Sequence, residues 1–225
     1  MDRAVISYYD RLAPSYDSDR FGNSYGGFLD REERAILASY LPRGAVRILD
    51  LGCGTGRLTD HASHGCDGSF ESLRLAAAKR PDRRFAAADI VSLPFTSGSF
   101  DAALAFHVFM HLDREAIGSA FREVTRVLRP GGVFVADIAS ALRRRLRPRA
   151  VQGWHGGTAL SRAEFAALAE RAGLAMTAAR GVMLLPIHRL PAGARGGLAR
   201  LDLGLAAAFT DGASYIVGRF AKHPR

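Results

Sequence analysis

The sequence is short of several things that would each have narrowed its role. It holds two cysteines, Cys53 and Cys66. That is too few for a disulfide framework and lacks zinc-binding spacing, so a reducing, cytoplasmic setting is expected. No apolar run approaches the ~20 residues that cross a bilayer; Ala102 to Met110 and Gly181 to Ile187 are the longest. The opening MDRAVISYYDRLAPSYD carries acidic residues and tyrosines where a signal peptide needs a basic start and an apolar stretch. Membrane insertion and secretion are therefore not expected. Lysine is nearly absent too, Lys79 and Lys222 standing against a formal charge of +9 carried otherwise by arginine. Such a charge admits anionic partners, although the joint Ala and Arg excess also matches the bias of a G+C-rich coding sequence. Only Trp154 lies near the densest arginine run, so the broad basic face with stacking aromatics that nucleic acid favours is missing.

What is present reads as one globular unit of 225 residues, 48% hydrophobic and 24% charged, without repeats or low-complexity linkers. Residues 1–42 form an expected N-terminal helical cap, with an amphipathic run from Phe28 to Leu41 that includes Glu32 and Glu33 and ends at Pro42. Residues 43–225 form the main domain. From Val46 to Ala139 short apolar runs alternate with helical segments, the pattern of βαβ units and a parallel sheet. Strands are expected at Val46 to Leu51, Arg84 to Ala88, Phe100 to Phe106 and Gly132 to Ile138, with helices at Ser69 to Arg80 and Asp113 to Leu128. Pro130-Gly131-Gly132 is expected to break the last of these helices. Further on, Ser161 and Glu164 make a capping box. A strand over Leu174 to Leu185, a helix over Leu198 to Phe209 and a closing strand over Ser214 to Phe220 complete the pattern.

The most informative stretch is Ile48-Leu49-Asp50-Leu51-Gly52-Cys53-Gly54-Thr55-Gly56-Arg57-Leu58, a strand that runs into three glycines and a helical start. Such turns bring backbone close to a ligand at the carboxyl ends of strands. The dinucleotide fingerprint Gly-x-Gly-x-x-Gly would need its third glycine where Arg57 stands, so a pyrophosphate site is disfavoured. Asp-x-Gly-x-Gly-x-Gly instead resembles the first motif of class I S-adenosylmethionine-dependent methyltransferases. The resemblance continues in order. Tyr8-Tyr9-Asp10-Arg11-Leu12-Ala13-Pro14-Ser15-Tyr16-Asp17 is similar to the opening of small methyltransferases related to quinone biosynthesis, Cys66-Asp67-Gly68-Ser69 to the second motif, and Ala88-Asp89-Ile90 with Leu93-Pro94-Phe95 to the third. Ser99-Phe100-Asp101 and Arg126 to Gly132 resemble the entries to the fourth and fifth strands.

That resemblance implies a Rossmann-like, seven-stranded, mostly parallel sheet with helices on both faces, and S-adenosylmethionine as cofactor. It implies a cofactor site of Tyr16, Asp50, Gly52, Cys53, Gly54, Gly56, Asp67, Asp89, Ile90 and Phe106. Within it Asp67 takes the ribose hydroxyls, Asp89 the adenine amino group and Ile90 the ring face; Asp101 is expected to be structural. One departure stands out. Only ten residues, Arg57 to Cys66, separate Gly56 from Asp67, about two helical turns fewer than the family's spacing. Either the crossover helix is rudimentary, or the second strand is lost or displaced.

Methyl transfer is an in-line displacement, so no metal is required, and a base is needed only when the acceptor arrives protonated. His107 and His111, just after the fourth strand, are the candidate catalytic residues, His111 slightly favoured as the one facing the acceptor and His107 as the one fixed by backbone. A zinc reading fails because Val108 stands where the His-Glu-x-x-His motif needs Glu. The run Arg143-Arg144-Arg145-Leu146-Arg147-Pro148-Arg149 is either a solvated loop or a clamp for an anionic substrate. The expected activity is methylation of a small-molecule acceptor at oxygen, with an anionic acceptor admitted and nucleic acid disfavoured. Two other readings stay open: an RNA methyltransferase, and a catalytically inactive cofactor-binding regulatory subunit.

Overall fold

The computed structural model describes residues 3–147, 156–191 and 195–223. Seven strands form one sheet: β1 (Ile48–Leu51), β2 (His64–Asp67), β3 (Arg84–Ala87), β4 (Phe100–Ala105), β5 (Leu128–Ala139), β6 (Leu174–Val182) and β7 (Tyr215–Lys222). Their order is β3-β2-β1-β4-β5-β7-β6, parallel except for β7, which runs antiparallel to both β5 and β6. The chain moves from β1 outward to β3, then returns to the other side of β1 to lay down β4. This reversal leaves a crevice at the carboxyl ends of β1 and β4, where ligands bind in open α/β sheets.

Helices α1 (Arg3–Leu12), α2 (Tyr16–Phe21) and α3 (Ser24–Tyr40) precede the sheet. Asn23 caps α3 by accepting the Gly26 N–H. Phe28, Leu29, Ile36 and Leu37 of α3 pack on Leu104, Val133, Val135 and Val217, one face of the sheet. The cap therefore shares the sheet's core. The other face is covered by α5 (Arg114–Val127) and α7 (Arg162–Glu170), with Phe109, Phe121, Phe134, Phe165 and Phe220 at the centre of its cluster, while α4 (Phe70–Lys79) packs against β2, β3 and α1. Ser69, Asp113 and Ser161 cap α4, α5 and α7, the last through the expected capping box. The remaining helices are α6 (Ala141–Leu146) and α8 (Arg195–Ala208).

Several boundaries differ from expectation for identifiable reasons. β1 starts at Ile48 because the Val46 and Arg47 amides donate to Asp101 Oδ2 at 2.8 and 2.9 Å instead of to a strand. This is the structural role expected of Asp101. β5 begins four residues early, since Leu128 pairs with Phe100 and the ladder resumes at Val133 after a register shift. Pro130-Gly131-Gly132 thus lies inside a strand as an irregularity. β6 ends at Val182, because Met183 turns into the left-handed region at φ 62 and its carbonyl, with that of Val182, accepts the Ser214 N–H.

The short Gly56 to Asp67 segment keeps its strand and loses its helix. A single 3-10 turn over Thr59–His61 stands in for the crossover. β2 pairs with β1 from His64 to Cys66. Leu58 and Ala62 still reach the core under α3, and Arg34 of α3 bonds the Arg57 carbonyl at 2.6 Å and pairs with Asp60.

Candidate active site

Gly52 takes φ 63 directly after β1, and a Cβ there would lie 2.4 Å from Val108 Cγ2. Only glycine lets the loop pass so close to the turn after β4. Gly54 takes φ 52 and has nothing within 4 Å of its Cβ position, because it faces open space. That space is a cavity of about 460 Å³, bordered by Tyr16, Gly52, Gly54, Asp67, Asp89 and Phe106 among others. Its described lining includes Asp67, Asp89 and Asp113 but no arginine or lysine. Such a chamber suits a cation that also offers hydroxyl and amino donors, and it rejects a pyrophosphate.

Asp67 is nearly buried and binds the loop with both oxygens, Oδ2 accepting the Gly54 N–H and Oδ1 the Ser69 N–H, each at 2.8 Å. Burial raises its pKa, and those amides oppose the rise. Asp50 is 3% exposed, and its Oδ2 is a buried atom without a hydrogen-bond partner. Burial pushes its pKa well up, only partly opposed by Arg57. It borders a recess of about 40 Å³ with Cys53, Gly54 and Tyr16, an orphaned carboxylate suited to an ammonium group. These features fit S-adenosylmethionine, whose sulfonium and α-ammonium groups are cationic.

Other expected site residues sit differently. Ile90 is 3% exposed and belongs to the core cluster, while its neighbour Val91 borders the cavity. Ile90, expected to pack on the adenine ring, thus lies behind the cavity wall that Val91 forms. Gly56 lines neither this cavity nor the recess; its Cβ position lies 2.9 Å from Thr59 Oγ1 and 3.2 Å from Ala76 Cβ, so it serves the packing of the loop on α4. Cys53 faces the recess and not the main cavity.

A second cavity of about 400 Å³ adjoins the first, and Tyr9, Tyr16, His107 and His111 border both. Helices α1 and α2 roof the site and are latched down: Tyr9 Oη lies 2.9 Å from His111 Nε2, Ser69 Oγ donates to Asp10 at 2.6 Å, and Thr55 Oγ1 donates to Asp17 at 2.6 Å. The Gly156 N–H donates to His111 Nδ1 at 3.0 Å. A neutral imidazole with that lone pair occupied carries its proton on Nε2, turned toward Tyr9. Of the two ring nitrogens of His111, the residue expected to face the acceptor, backbone thus occupies Nδ1. Of the arginine run, α6 carries Arg143, Arg144 and Arg145 with Arg147 just after it. Pro148, Arg149 and Trp154 lie outside the described residues.

His107 takes φ 60, a left-handed conformation that a non-glycine residue holds only under constraint. The constraint is ionic. Asp137 Oδ1 accepts the His107 backbone N–H at 2.7 Å and Oδ2 lies 3.3 Å from Nδ1. Glu33 Oε1 lies 2.6 Å from Nε2 and Oε2 binds Arg57 at 2.7 Å. The Arg57 guanidinium also pairs with Asp30 and sits 4.0 Å from the Phe21 ring centre. Burial alone would lower the His107 pKa, but Glu33 and Asp137 outweigh it and raise it. Burial raises Asp137 to about 6, while His107 and Arg57 overcome burial to lower Glu33. Glu33, Asp137 and this use of Arg57 belong to no motif of the sequence. Asp137, a charge within the apolar run Val133 to Ala139, was the available signal.

Comparisons with known proteins agree with this geometry. Residues 49–136 match the family model described as a methyltransferase domain. The demethylmenaquinone methyltransferase of Roseiflexus sp. (strain RS-1) is 36% identical over 138 residues, 56% of this chain and 56% of that protein. A malonyl-[acyl-carrier protein] O-methyltransferase of Enterobacter lignolyticus is 28% identical over 145 residues, 62% of this chain and 55% of that protein. The chain thus spans a little over half the length of these curated relatives. Among solved structures, a SAM-dependent methyltransferase from Thermotoga maritima superposes with a TM-score of 0.74 at 19% identity, covering 96% of this chain and 99% of that one. A shared fold alone would leave the ligand open; here residues 49–136, matched as a methyltransferase domain, carry most of the acidic, glycine-lined chamber.

Proposed function

We propose that the chain transfers the methyl group of S-adenosylmethionine to an oxygen of a small, anionic acceptor held in the second cavity. The observation that carries this reading is the common wall of Tyr9, Tyr16, His107 and His111 between two chambers of opposite character. S-adenosylmethionine supplies an electrophilic methyl group on a positively charged sulfur. The residues of the chain align the partners and exclude water, the main contributions open to a protein in such a displacement. Asp67 and Asp89 are assigned to ribose and adenine, Val91 to the ring face and Asp50 to the ammonium. An anion on the far side of the wall is drawn to the cation, and the two charges cancel as the bond forms, which a site of low dielectric favours.

His107, whose pKa the flanking carboxylates Glu33 and Asp137 raise, contributes rigidity, and its protonated form, which they favour, is no base. His111 positions Tyr9 at the wall. The names of the relatives, which include an O-methyltransferase acting on a malonyl carrier, support a metabolite acceptor over RNA. The test is incubation with methyl-labelled donor, a metabolite extract and total RNA in separate vessels. Label in a low-mass product that is released as a methyl ether or ester supports the proposal. Label in RNA overturns it, and binding of donor without any label transfer assigns the chain to a regulatory role.

A further inference from the structure

The walls of the second cavity narrow the acceptor further. Its described lining includes Arg20, Arg143, Arg144 and Arg147 and no aspartate or glutamate, the reverse of the first cavity. Arg144 spends N–H groups on the Gly156 and Gly157 carbonyls at 2.5 and 2.7 Å, so it braces the loop that holds His111. Arg20, which also donates to the Tyr8 hydroxyl at 3.3 Å, Arg143 and Arg147 border the same chamber, and their planar forks match a carboxylate. The body of the chamber is aromatic. Phe21, Tyr25 and Tyr215 border it; the Tyr25 and Tyr215 hydroxyls lie 3.2 Å apart, and the Tyr215 ring meets His107 edge-on at 5.1 Å. Walls of this kind gain more from an aromatic guest than from an aliphatic one of equal area. Among the described residues no arginine borders the first cavity, and those bordering both chambers are Tyr9, Tyr16, His107 and His111. The anion-binding part and the transfer part of the chamber are different places.

The geometry points to an aromatic hydroxy acid as the acceptor: its carboxylate is anchored by Arg20, Arg143 and Arg147, its ring lies among Phe21, Tyr25 and Tyr215, and its phenolic hydroxyl stands at the Tyr9–His111 wall. This rests on the second cavity being the acceptor site. The methylated atom is then the phenol and not the carboxylate. The hydroxyl proton leaves to water, the phenolate oxygen forms the new O–C bond as the sulfonium C–S bond breaks, and the bonding pair remains on sulfur as a neutral thioether. A chamber of about 400 Å³ has room for one or two fused rings.

The experiment uses the full chain loaded with S-adenosylhomocysteine and titrated with 6-hydroxy-2-naphthoate, its carboxamide, and octanoate. The naphthoate is expected to bind at least tenfold more tightly than either of the others. The double variant Arg143→Ala, Arg147→Ala is expected to lose the preference over the carboxamide while S-adenosylhomocysteine affinity holds. With S-adenosylmethionine present the product is an aryl methyl ether, which survives mild base. Equal binding of the carboxamide overturns the arginine anchor, equal binding of octanoate overturns the aromatic chamber, and a base-labile methyl ester overturns the assignment of the phenol. Binding of S-adenosylhomocysteine with none of the three probes overturns this acceptor and leaves the methyl-donor site intact. Absence of S-adenosylhomocysteine binding instead brings down the reading beneath it.

Discussion

Replacing Gly52 and Gly54 separately by alanine distinguishes a glycine that lets the fold close from one that lets the ligand in. Both residues hold positive φ, 63 and 52, and each alanine therefore incurs the ~1–2 kcal/mol that an L-residue loses in the left-handed region. At Gly54 nothing lies within 4 Å of the new Cβ, so the conformational cost is the whole of the loss. At Gly52 the Cβ falls 2.4 Å from Val108 Cγ2, and a buried overpacking of this kind adds ~1–3 kcal/mol. In a domain of this size each kcal/mol moves Tm by ~2–4 °C. Gly52→Ala is expected to lower Tm roughly one and a half to four times as far as Gly54→Ala. Affinity runs the other way, because the Gly54 methyl group projects into the donor cavity that the ligand fills. Gly54→Ala should weaken S-adenosylhomocysteine at least tenfold with only a modest change in Tm. Thermal unfolding followed by circular dichroism, paired with calorimetric titration, reads both effects. Wild-type affinity in folded Gly54→Ala would refute the placement of the donor against this loop.

Asp50→Asn should stabilise the ligand-free protein and weaken the donor. A carboxyl whose folded pKa is raised contributes most at low pH and loses that contribution as pH rises, and asparagine removes the loss; a lower Tm at neutral pH in the variant would contradict this. His107 has its folded pKa raised, so its contribution is full below the ordinary imidazole value of ~6.5 and fades as pH climbs through the higher folded value. Tm should therefore fall with rising pH above that range, and Glu33→Gln should flatten the slope; an unchanged slope would remove His107 from the network. His111→Ala should reduce turnover by loosening Tyr9 and the 156–158 loop, with the pH profile keeping its wild-type shape. Loss of a limb near the imidazole range in that variant would restore His111 as the base.

The sheet was readable where local signals agreed. Ile48 to Leu51 is apolar up to a glycine, and Ser161 with Glu164 announced a helix that the structure starts at Arg162. Legibility failed where a distant partner decided the outcome. Val46 looks like strand, but its amide is taken by Asp101, 55 positions away. Glu33 sits on what reads as an ordinary amphipathic helix; its burial at 2% exposure is made tolerable by Arg57 and His107, which only the fold brings to it. The choice between Ile90 and Val91 turns on the direction of a side chain at a bend that no periodicity encodes. The bond from the Gly156 N–H to His111 joins residues 45 positions apart, beyond any local signal. Charge segregation between the two cavities was equally hidden, since the arginines that create it come from α2 and α6.

Calorimetric titration of the purified chain with S-adenosylhomocysteine, with NAD as the control ligand, tests the donor site most directly. Saturable one-to-one binding in the micromolar range, weakened by ~1–3 kcal/mol in Asp89→Ala through loss of a charge-assisted hydrogen bond, and no binding of NAD, is the predicted result. Tight binding of NAD with none of S-adenosylhomocysteine would contradict it.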